Sequence, residues 1–223
     1  MKAAESAKTA LIIIDVQNGF RNPTHWGPSR STPECEGNIA LLLNAARAYN
    51  NKLQSKDTES KSEEITICHV HHHSIYPDSM LHPGARVEID GELVDAVQPQ
   101  AFATPEPREP VFTKDVNSSF IGTRLESHLK DQGVRQLVIC GLTTDHCVST
   151  TTRMANNLRV VSVTSPTGQL DEGDIIVVSD ACATFSKGEF DAETVHRVSL
   201  ASLNEEFAQV VNTQAVLRDV FGS

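Results

Sequence analysis

The chain has 223 residues, of which 39% are hydrophobic and 22% are charged, so it is neither a disordered nor a fibrous protein. Nineteen Lys and Arg residues against 29 Asp and Glu residues give a formal net charge of −10. This charge argues against nucleic acid or an anionic membrane surface as a partner, because proteins that bind these are basic. The length favours a single domain over residues 1–223.

The N-terminus and the cysteines predict a protein of a reducing compartment. The apolar run Ala10–Ile14 is too short for a signal peptide, and a membrane helix needs about 20 apolar residues. The five cysteines are odd in number and scattered, without a Cys-x-x-Cys pair, so they do not form a disulfide framework. We therefore expect a cytoplasmic protein without a membrane partner, although this reasoning leaves unconventional export open.

The first half of the chain predicts two strands, one helix and a long excursion. The continuous apolar run Thr9–Ile14 is typical of a strand that is covered on both faces. Apolar residues at helical spacing predict a helix over Asn38–Leu53, and Ile65–Val70 is the second strand. Gln54–Glu64 between them is a polar loop. Ser74–Arg108 is rich in Pro, Gly and Asp and predicts a long excursion from the sheet.

The second half continues the alternation. The predicted elements are a strand at Val111–Lys114, a helix at Gly122–Gln132 capped by Gly133, a strand at Gln136–Cys140, and helices at Thr144–Leu158 and Ala192–Phe207. Val160–Val163 and Ile175–Val178 are either two strands that flank an inserted hairpin loop, or one of the two is an edge strand. The whole pattern predicts a doubly wound, mostly parallel sheet with helices on both faces.

The segment Cys140–Val148 carries the densest group of reactive side chains. A buried strand runs into Gly141 and a helix follows, so Cys147 falls in the first turn of that helix. Free N–H groups and the positive end of the helix dipole lower a thiol pKa there and can hold an oxyanion. From this segment alone, an inert buried cysteine is an equal alternative.

Two further strands end in charged residues. Asp15 follows the first predicted strand and Lys114 ends the third, although alone each has a plain explanation as a turn cap or a solvated lysine. The carboxyl ends of parallel strands lie at one edge of the sheet. We therefore expect Asp15 as a base, Lys114 as an electrostatic partner and Cys147 as a nucleophile to meet there.

Three motifs in this order carry a family resemblance: ALIIIDVQNGF, FTKDVNSSFIGTRLESHL and LVICGLTTDHCVSTTTRMA. From about Thr9 to Phe207 the chain resembles the isochorismatase-like cysteine hydrolases, which include nicotinamidases, N-carbamoylsarcosine and ureidoacrylate amidohydrolases, and streptothricin hydrolase-like enzymes. The resemblance implies a three-layer α/β/α sandwich and a catalytic triad of Asp15, Lys114 and Cys147. It also implies a cis peptide between Leu142 and Thr143 and an oxyanion hole built from the backbone N–H groups of Thr143 and Cys147.

The resemblance also implies a reaction. Members that cleave the vinyl ether of isochorismate typically lack the cysteine, so Cys147 implies hydrolysis of a C–N bond in a small amide, lactam or ureido compound through a thioester. Isochorismate cleavage and a non-catalytic, redox-sensing thiol protein are the alternatives. We expect a small-molecule substrate, no cofactor, and a homo-oligomer, either a dimer or a tetramer.

A cluster of histidines ends the second strand: His69, His71, His72 and His73, with His82 nearby. Nicotinamidases hold a metal at this strand end through an Asp-x-His pair, but the matching residues here are His71 and His73, so the acid is missing. Alternate side chains of a strand also point to opposite faces. We therefore expect no metal site, and we expect His72 or His73 to line the pocket or donate a hydrogen bond to substrate.

The remaining pocket candidates come from position beside the triad. They are Asn18, Phe20, Trp26, Asn117 and Phe120. Among the other cysteines, Cys68, Cys140 and Cys182 lie in or after apolar strands and are expected in the core. Cys35 lies in a polar segment and is expected to be exposed.

Overall fold

Six parallel strands form the central sheet of the computed structural model, which describes residues 1–55 and 63–222. The strands among these described residues are β1 (Thr9–Ile14), β2 (Thr66–His72), β3 (Arg86–Ile89), β4 (Glu92–Asp95), β5 (Val111–Lys114), β6 (Gln136–Leu142), β7 (Val163–Thr164), β8 (Leu170–Asp171), β9 (Asp174–Ala183) and β10 (Gln209–Val211). The central sheet has the order β10-β9-β6-β1-β2-β5, and every neighbouring pair in it is parallel. The predicted doubly wound, mostly parallel sheet is confirmed.

Helices cover both faces of this sheet. They are α1 (Cys35–Gln54), α2 (Leu125–Asp131), α3 (Ser149–Asn157), α4 (Ala192–Ala201) and α5 (Thr213–Val216). Along β1, Leu11 and Ile13 pack into the apolar cluster under α1, whereas Ile12 and Ile14 pack into the cluster under α2 and α3. Because both faces of β1 are buried, the strand is apolar at nearly every position, which explains the run seen in the sequence.

The long excursion after β2 contains a hairpin that the sequence pattern did not resolve. Strands β3 and β4 pair antiparallel around Asp90 and Gly91, which both have positive φ. The hairpin lies against the turn that follows β1, where the N–H groups of Asn18 and Gly19 donate to the carbonyls of Gln98 and Ala96. The excursion therefore covers the segment that leads away from Asp15.

The segment Val160–Val163 forms no strand of the central sheet, so the predicted strand there is wrong, although the inserted hairpin of the first alternative is present as β7 and β8. Arg159 has a φ of 50° and the Val160 N–H donates to the Ala155 carbonyl, which is a Schellman cap on α3. Val160 is apolar because this cap buries its side chain. Val163 belongs to the exposed two-stranded hairpin of β7 and β8.

The last predicted helix also ends early. Helix α4 stops at Ala201 rather than Phe207, because Glu205 has a φ of 71° and turns the chain back. That turn allows β10, which the sequence pattern missed, to pair with β9. Gly133, with a φ of 65°, follows the end of α2 as predicted.

Of the predicted polar loop Gln54–Glu64, residues 56–62 lie outside the described residues. Over the described ranges, none of the helices combines the length and the apolarity needed to cross a bilayer.

Candidate active site

The carboxyl ends of β1 and β5 bring a carboxylate and an ammonium group into direct contact. Asp15 directly follows β1 and Lys114 is the last residue of β5, and both side chains are completely buried. Lys114 Nζ donates to Asp15 Oδ2 over 2.7 Å. The Asp15 N–H donates to the Val70 carbonyl, and its φ of 54° turns the chain out of the strand.

Cys147 reaches the same place through a tight crossing of two strands. Gly141, near the end of β6, has a φ of 124°, and a Cβ on it would lie 2.0 Å from the Ile14 carbonyl oxygen. Only glycine therefore fits where β6 meets β1. Beyond it the Leu142–Thr143 peptide is cis, and a π-helical turn, Thr144–Val148, carries Cys147.

Lys114 is the centre of the site. Its Nζ lies 2.7 Å from Asp15 Oδ2, 3.0 Å from His72 Nδ1 and 3.3 Å from Cys147 Sγ. An ammonium group has three N–H donors, so these three partners use all of them. The sequence predicted that Asp15, Lys114 and Cys147 meet, and the structure brings them together with His72 as a fourth member.

The same donors resemble a metal site. In the described part of the chain, Asp15, His72 and Cys147 form the single group of potential metal ligands, with ligand atoms within 4.8 Å of one another. The Lys114 ammonium makes hydrogen bonds to all three, so the chain itself supplies the cation that these groups share.

The pKa values of Lys114 and Cys147 both rise. Burial alone lowers the pKa of Lys114, but the negative charges of Asp15 and Cys147 outweigh it and raise that pKa above its usual value. Burial, together with the Asp15 carboxylate, raises the pKa of Cys147, while Lys114 opposes this. The expectation of a lowered thiol pKa is therefore wrong, because Cys147 is only 7% exposed and faces a carboxylate.

One of the two carboxylate oxygens of Asp15 has no hydrogen-bond donor among the described residues. Its Oδ1 is buried and accepts no hydrogen bond from the described residues, whereas its Oδ2 binds Lys114. A buried carboxylate oxygen without a hydrogen-bond donor lowers the stability of the folded chain. We therefore interpret this unpaired oxygen near the protonated thiol as a functional feature. The arrangement can move the thiol proton onto Asp15 when the sulfur attacks a carbon.

The histidine cluster splits between the two faces of β2, as the alternation predicted. His72 lies on the face of Lys114, whereas His69 is buried on the other face, 2.8 Å from Glu109. His73 touches Lys114 only through its N–H, which donates to the Lys114 carbonyl. Burial lowers the pKa of His71 to about 4, and His82 Nδ1 accepts from the Gly84 N–H.

One of the other pocket candidates, Asn117, lies beside the thiol. Asn117 is exposed, and its Oδ1 lies 3.9 Å from Cys147 Sγ. Phe120 is buried in the same apolar cluster as Cys147. Asn117 is therefore placed to contact a molecule bound at the sulfur, whereas Phe120 is a core residue on the same face of the sheet.

Two of the remaining three candidates, Phe20 and Trp26, pack into the apolar cluster under α1, on the opposite face of the sheet from the cluster that contains Cys147. Phe20 stacks on Trp26 at 4.5 Å, and both stack on Phe185. Asn18 Nδ2 donates to the Asp95 carbonyl. Within residues 1–55 and 63–222, none of Asn18, Phe20 and Trp26 makes a hydrogen bond or ring contact with the triad.

The sequence reasoning missed two supports of the site. Gln17 is fully buried, and its side chain holds the backbone of His72 from both sides, accepting from its N–H at 2.8 Å and donating to its carbonyl at 3.0 Å. His196 of α4 contacts Thr144 Oγ1 at 2.8 Å and so supports the turn before Cys147. A Gln two residues after Asp15, directly beyond the apolar run of β1, was the available signal for the first support.

The four other cysteines are core residues. Cys35, Cys68, Cys140 and Cys182 are all fully buried. The expectation that Cys35 is exposed is wrong, because the residue lies in the first turn of α1 and packs with the apolar cluster under that helix.

Comparisons with known proteins agree with this geometry. Residues 9–215 match the model of the Isochorismatase domain. The chain is 36% identical to the uncharacterized isochorismatase family protein YrdC of Bacillus subtilis, over 95% of this chain and 96% of that protein. It is 28% identical to the ureidoacrylate amidohydrolase RutB of Methylobacterium radiotolerans, over 96% of this chain and 80% of that protein.

A solved structure gives the same result for the fold. An isochorismatase-family protein from Chromobacterium violaceum superposes with a TM-score of 0.75 and 30% identity, over 96% of this chain and 94% of that one. The family model covers most of the sequence, including the segments that hold Asp15, Lys114 and Cys147. The chain therefore belongs to the isochorismatase family of hydrolases.

Proposed function

We propose that this hydrolase cleaves a C–N bond of a small amide, lactam or ureido compound through a thioester on Cys147. The observation that carries the proposal is the buried set in which Lys114 Nζ joins Asp15 Oδ2 and Cys147 Sγ at 2.7 and 3.3 Å. A nucleophile, a base and a fixed positive charge are what acyl transfer requires. The relative named as a ureidoacrylate amidohydrolase supports the choice of a C–N bond.

In the first half of the reaction, Asp15 takes the proton of Cys147 while the sulfur attacks the carbonyl carbon. The N–H groups of Thr143 and Cys147 receive the oxyanion that forms. Lys114 stays charged throughout and offsets the negative charge that moves from Asp15 to the sulfur and on to the oxygen. The C–N bond then breaks, and protonated Asp15 gives its proton to the leaving nitrogen.

In the second half, water hydrolyses the thioester. Asp15, which is again ionised, accepts a proton from the water as its oxygen attacks the carbonyl carbon. The C–S bond breaks and the proton returns to Cys147, so the site is restored. The net reaction consumes one water. An amide or ureido compound gives an amine or ammonia together with a carboxylic or carbamic acid, and a lactam gives a single ring-opened amino acid.

The test is a screen of amides, lactams and ureido compounds, with isochorismate included. We expect turnover of at least one C–N compound by the wild-type chain, and a fall to the assay background in the Cys147→Ala variant. Mass spectrometry on the Cys147→Ser variant should detect an acyl ester on that serine, because its hydroxyl replaces the attacking thiol. The Cys147→Ala variant is the matched control and should carry no adduct.

Two results would overturn the proposal. One is turnover of a C–N compound that persists in the Cys147→Ala variant. The other is release of pyruvate from isochorismate at equal rates by the wild type and that variant, which would indicate the ether-cleaving reaction of the family.

Two expectations about the protein's surroundings stay predictions. A dimer or tetramer is tested by sedimentation of the purified chain. A cytoplasmic location is tested by fractionation of cells that produce it.

A further inference from the structure

His72 is the one member of the Lys114 set that the proposed triad does not use. Its Nδ1 lies 3.0 Å from Lys114 Nζ. Gln17 holds its backbone from both sides. The direction of the imidazole ring is therefore fixed both at its backbone and at Nδ1.

The contact with Lys114 also fixes the position of the ring proton. An ammonium group can only donate, so Nδ1 of His72 must be the accepting, unprotonated nitrogen. Burial and the neighbouring Lys114 both lower the pKa of His72, while Asp15 and Asp115 oppose this less strongly. His72 is therefore neutral at pH 7, with its proton on Nε2.

Nε2 faces away from Lys114 and makes no hydrogen bond with the part of the chain that the structure describes. His72 is half-buried, so its side chain is not sealed inside the core. One ring nitrogen of His72 lies within 4.8 Å of Cys147 Sγ, and the carbon under attack lies about 3 Å from that sulfur. The His72 ring is therefore close enough to the sulfur to contact substrate atoms a few bonds away from the scissile carbonyl.

We propose that His72 determines substrate specificity, with its Nε2–H donating to a carbonyl or carboxylate oxygen on the leaving group of the substrate. This inference rests on the proposed C–N hydrolysis. Because Lys114 donates a hydrogen bond to Nδ1, it keeps the ring proton of His72 on Nε2. A site with a fixed donor favours substrates that carry the matching acceptor, because an analogue without one leaves the donor unpaired.

The kinetic test compares N-carbamoylglycinamide with N-isobutylurea, which has the same shape but no acceptor oxygen on the leaving group. We expect the wild type to favour the first by about threefold to tenfold in kcat/KM, as for one neutral hydrogen bond. The His72→Asn variant keeps an acceptor for Lys114 but lacks a donor at Nε2, so its preference should fall to about one. The His72→Gln variant places an amide N–H near the Nε2 position and should recover most of the preference.

The same substitution at a histidine outside the Lys114 set is the control. His128 packs against Phe112, and the His128→Asn variant should keep the wild-type preference. A wild-type preference of one, or an unchanged preference in the His72→Asn variant, would overturn the role of His72.

A second measurement separates this inference from the proposed function. In the Cys147→Ser variant, ¹⁵N-labelled histidine spectra should show His72 protonated at Nε2 and not at Nδ1. The Nε2–H signal should shift on addition of N-carbamoylglycinamide and stay unchanged with N-isobutylurea. A proton on Nδ1, or equal responses to the two ureas, would refute the inference even if the chain hydrolyses other amides. Absence of turnover with the expected shift intact would count against C–N hydrolysis alone.

Discussion

The two ends of strand β5 each carry an ion pair with a buried carboxylate, and the pairs are built differently. Just before the amino end, Glu109 binds Arg47 through both oxygens at 2.7 Å and also accepts from His69 and from the Glu106 N–H. At the carboxyl end, Lys114 binds one oxygen of Asp15, and the other oxygen has no donor among the described residues. One carboxylate is saturated with donors, whereas the other keeps a free oxygen beside a thiol.

This difference indicates what each pair does. Burial raises the pKa of Glu109, but the hydrogen bonds from Arg47 and His69 outweigh it and bring the pKa to about 2. Such a carboxylate stays ionised and inert, and it fastens the chain before β5 to α1 and β2. The Asp15 oxygen that lacks a donor is instead available to a proton. We infer that the amino end of β5 serves stability and the carboxyl end serves chemistry.

The largest effect should come from the Asp15→Asn substitution, which removes the base. We expect turnover to fall by about 10²–10⁴-fold, the usual contribution of a positioned acid or base. Asparagine tolerates the positive φ at this position, so the backbone can keep its path. The measurement is kcat/KM on the best substrate of the screen, with circular dichroism to check the fold. Wild-type turnover in a folded Asp15→Asn variant would remove the distinction between the two ends.

The Glu109→Gln substitution should lower stability and leave turnover nearly unchanged. Among the described residues it leaves the Arg47 charge with the more exposed Glu106 as its remaining ionic partner, so we expect the free energy of unfolding to fall by about 3 kcal/mol. Urea titration measures this loss, and kcat/KM of the folded variant should stay within about twofold of the wild type. A variant as stable as the wild type, or one that is stable but inactive, would contradict the assignment of this end to stability.

Sequence patterns predicted the parts of the molecule that follow from periodicity and strand order. The apolar run of β1 and the positions of Asp15, Lys114 and Cys147 at strand ends were sufficient to predict one shared edge. Parallel strands place their carboxyl ends together whatever the loops do, so this prediction did not need the loop structures.

Other features depend on packing that the sequence pattern does not contain. The apolar side chain of Val160 suits a buried strand as well as a Schellman cap, so the strand prediction failed. The raised pKa of Cys147 depends on its burial against Asp15, which position near a helix start does not reveal. Phe20 and Trp26 follow Asp15 closely in sequence, yet the turn after Gln17 directs them to the other face of the sheet.

A smaller effect, on the pH dependence of the free energy of unfolding, should distinguish His71 of β2 from the two ion pairs at the ends of β5. Burial lowers the pKa of half-buried His71 to about 4, so the folded chain binds a proton there less readily than the unfolded chain, whose histidines titrate near pH 6.5. This contribution to stability is present above pH 6.5 and is lost as the pH falls towards 4. We expect the His71→Gln variant to lose less unfolding free energy than the wild type over this window, by less than about 1 kcal/mol per pH unit.

Urea titrations at several pH values measure the slopes, with the exposed His25→Gln variant as control. Equal slopes in the wild type and the His71→Gln variant would assign the acid sensitivity of the fold to other groups, and the pH dependence of β2 would then no longer be separate from that of the ion pairs.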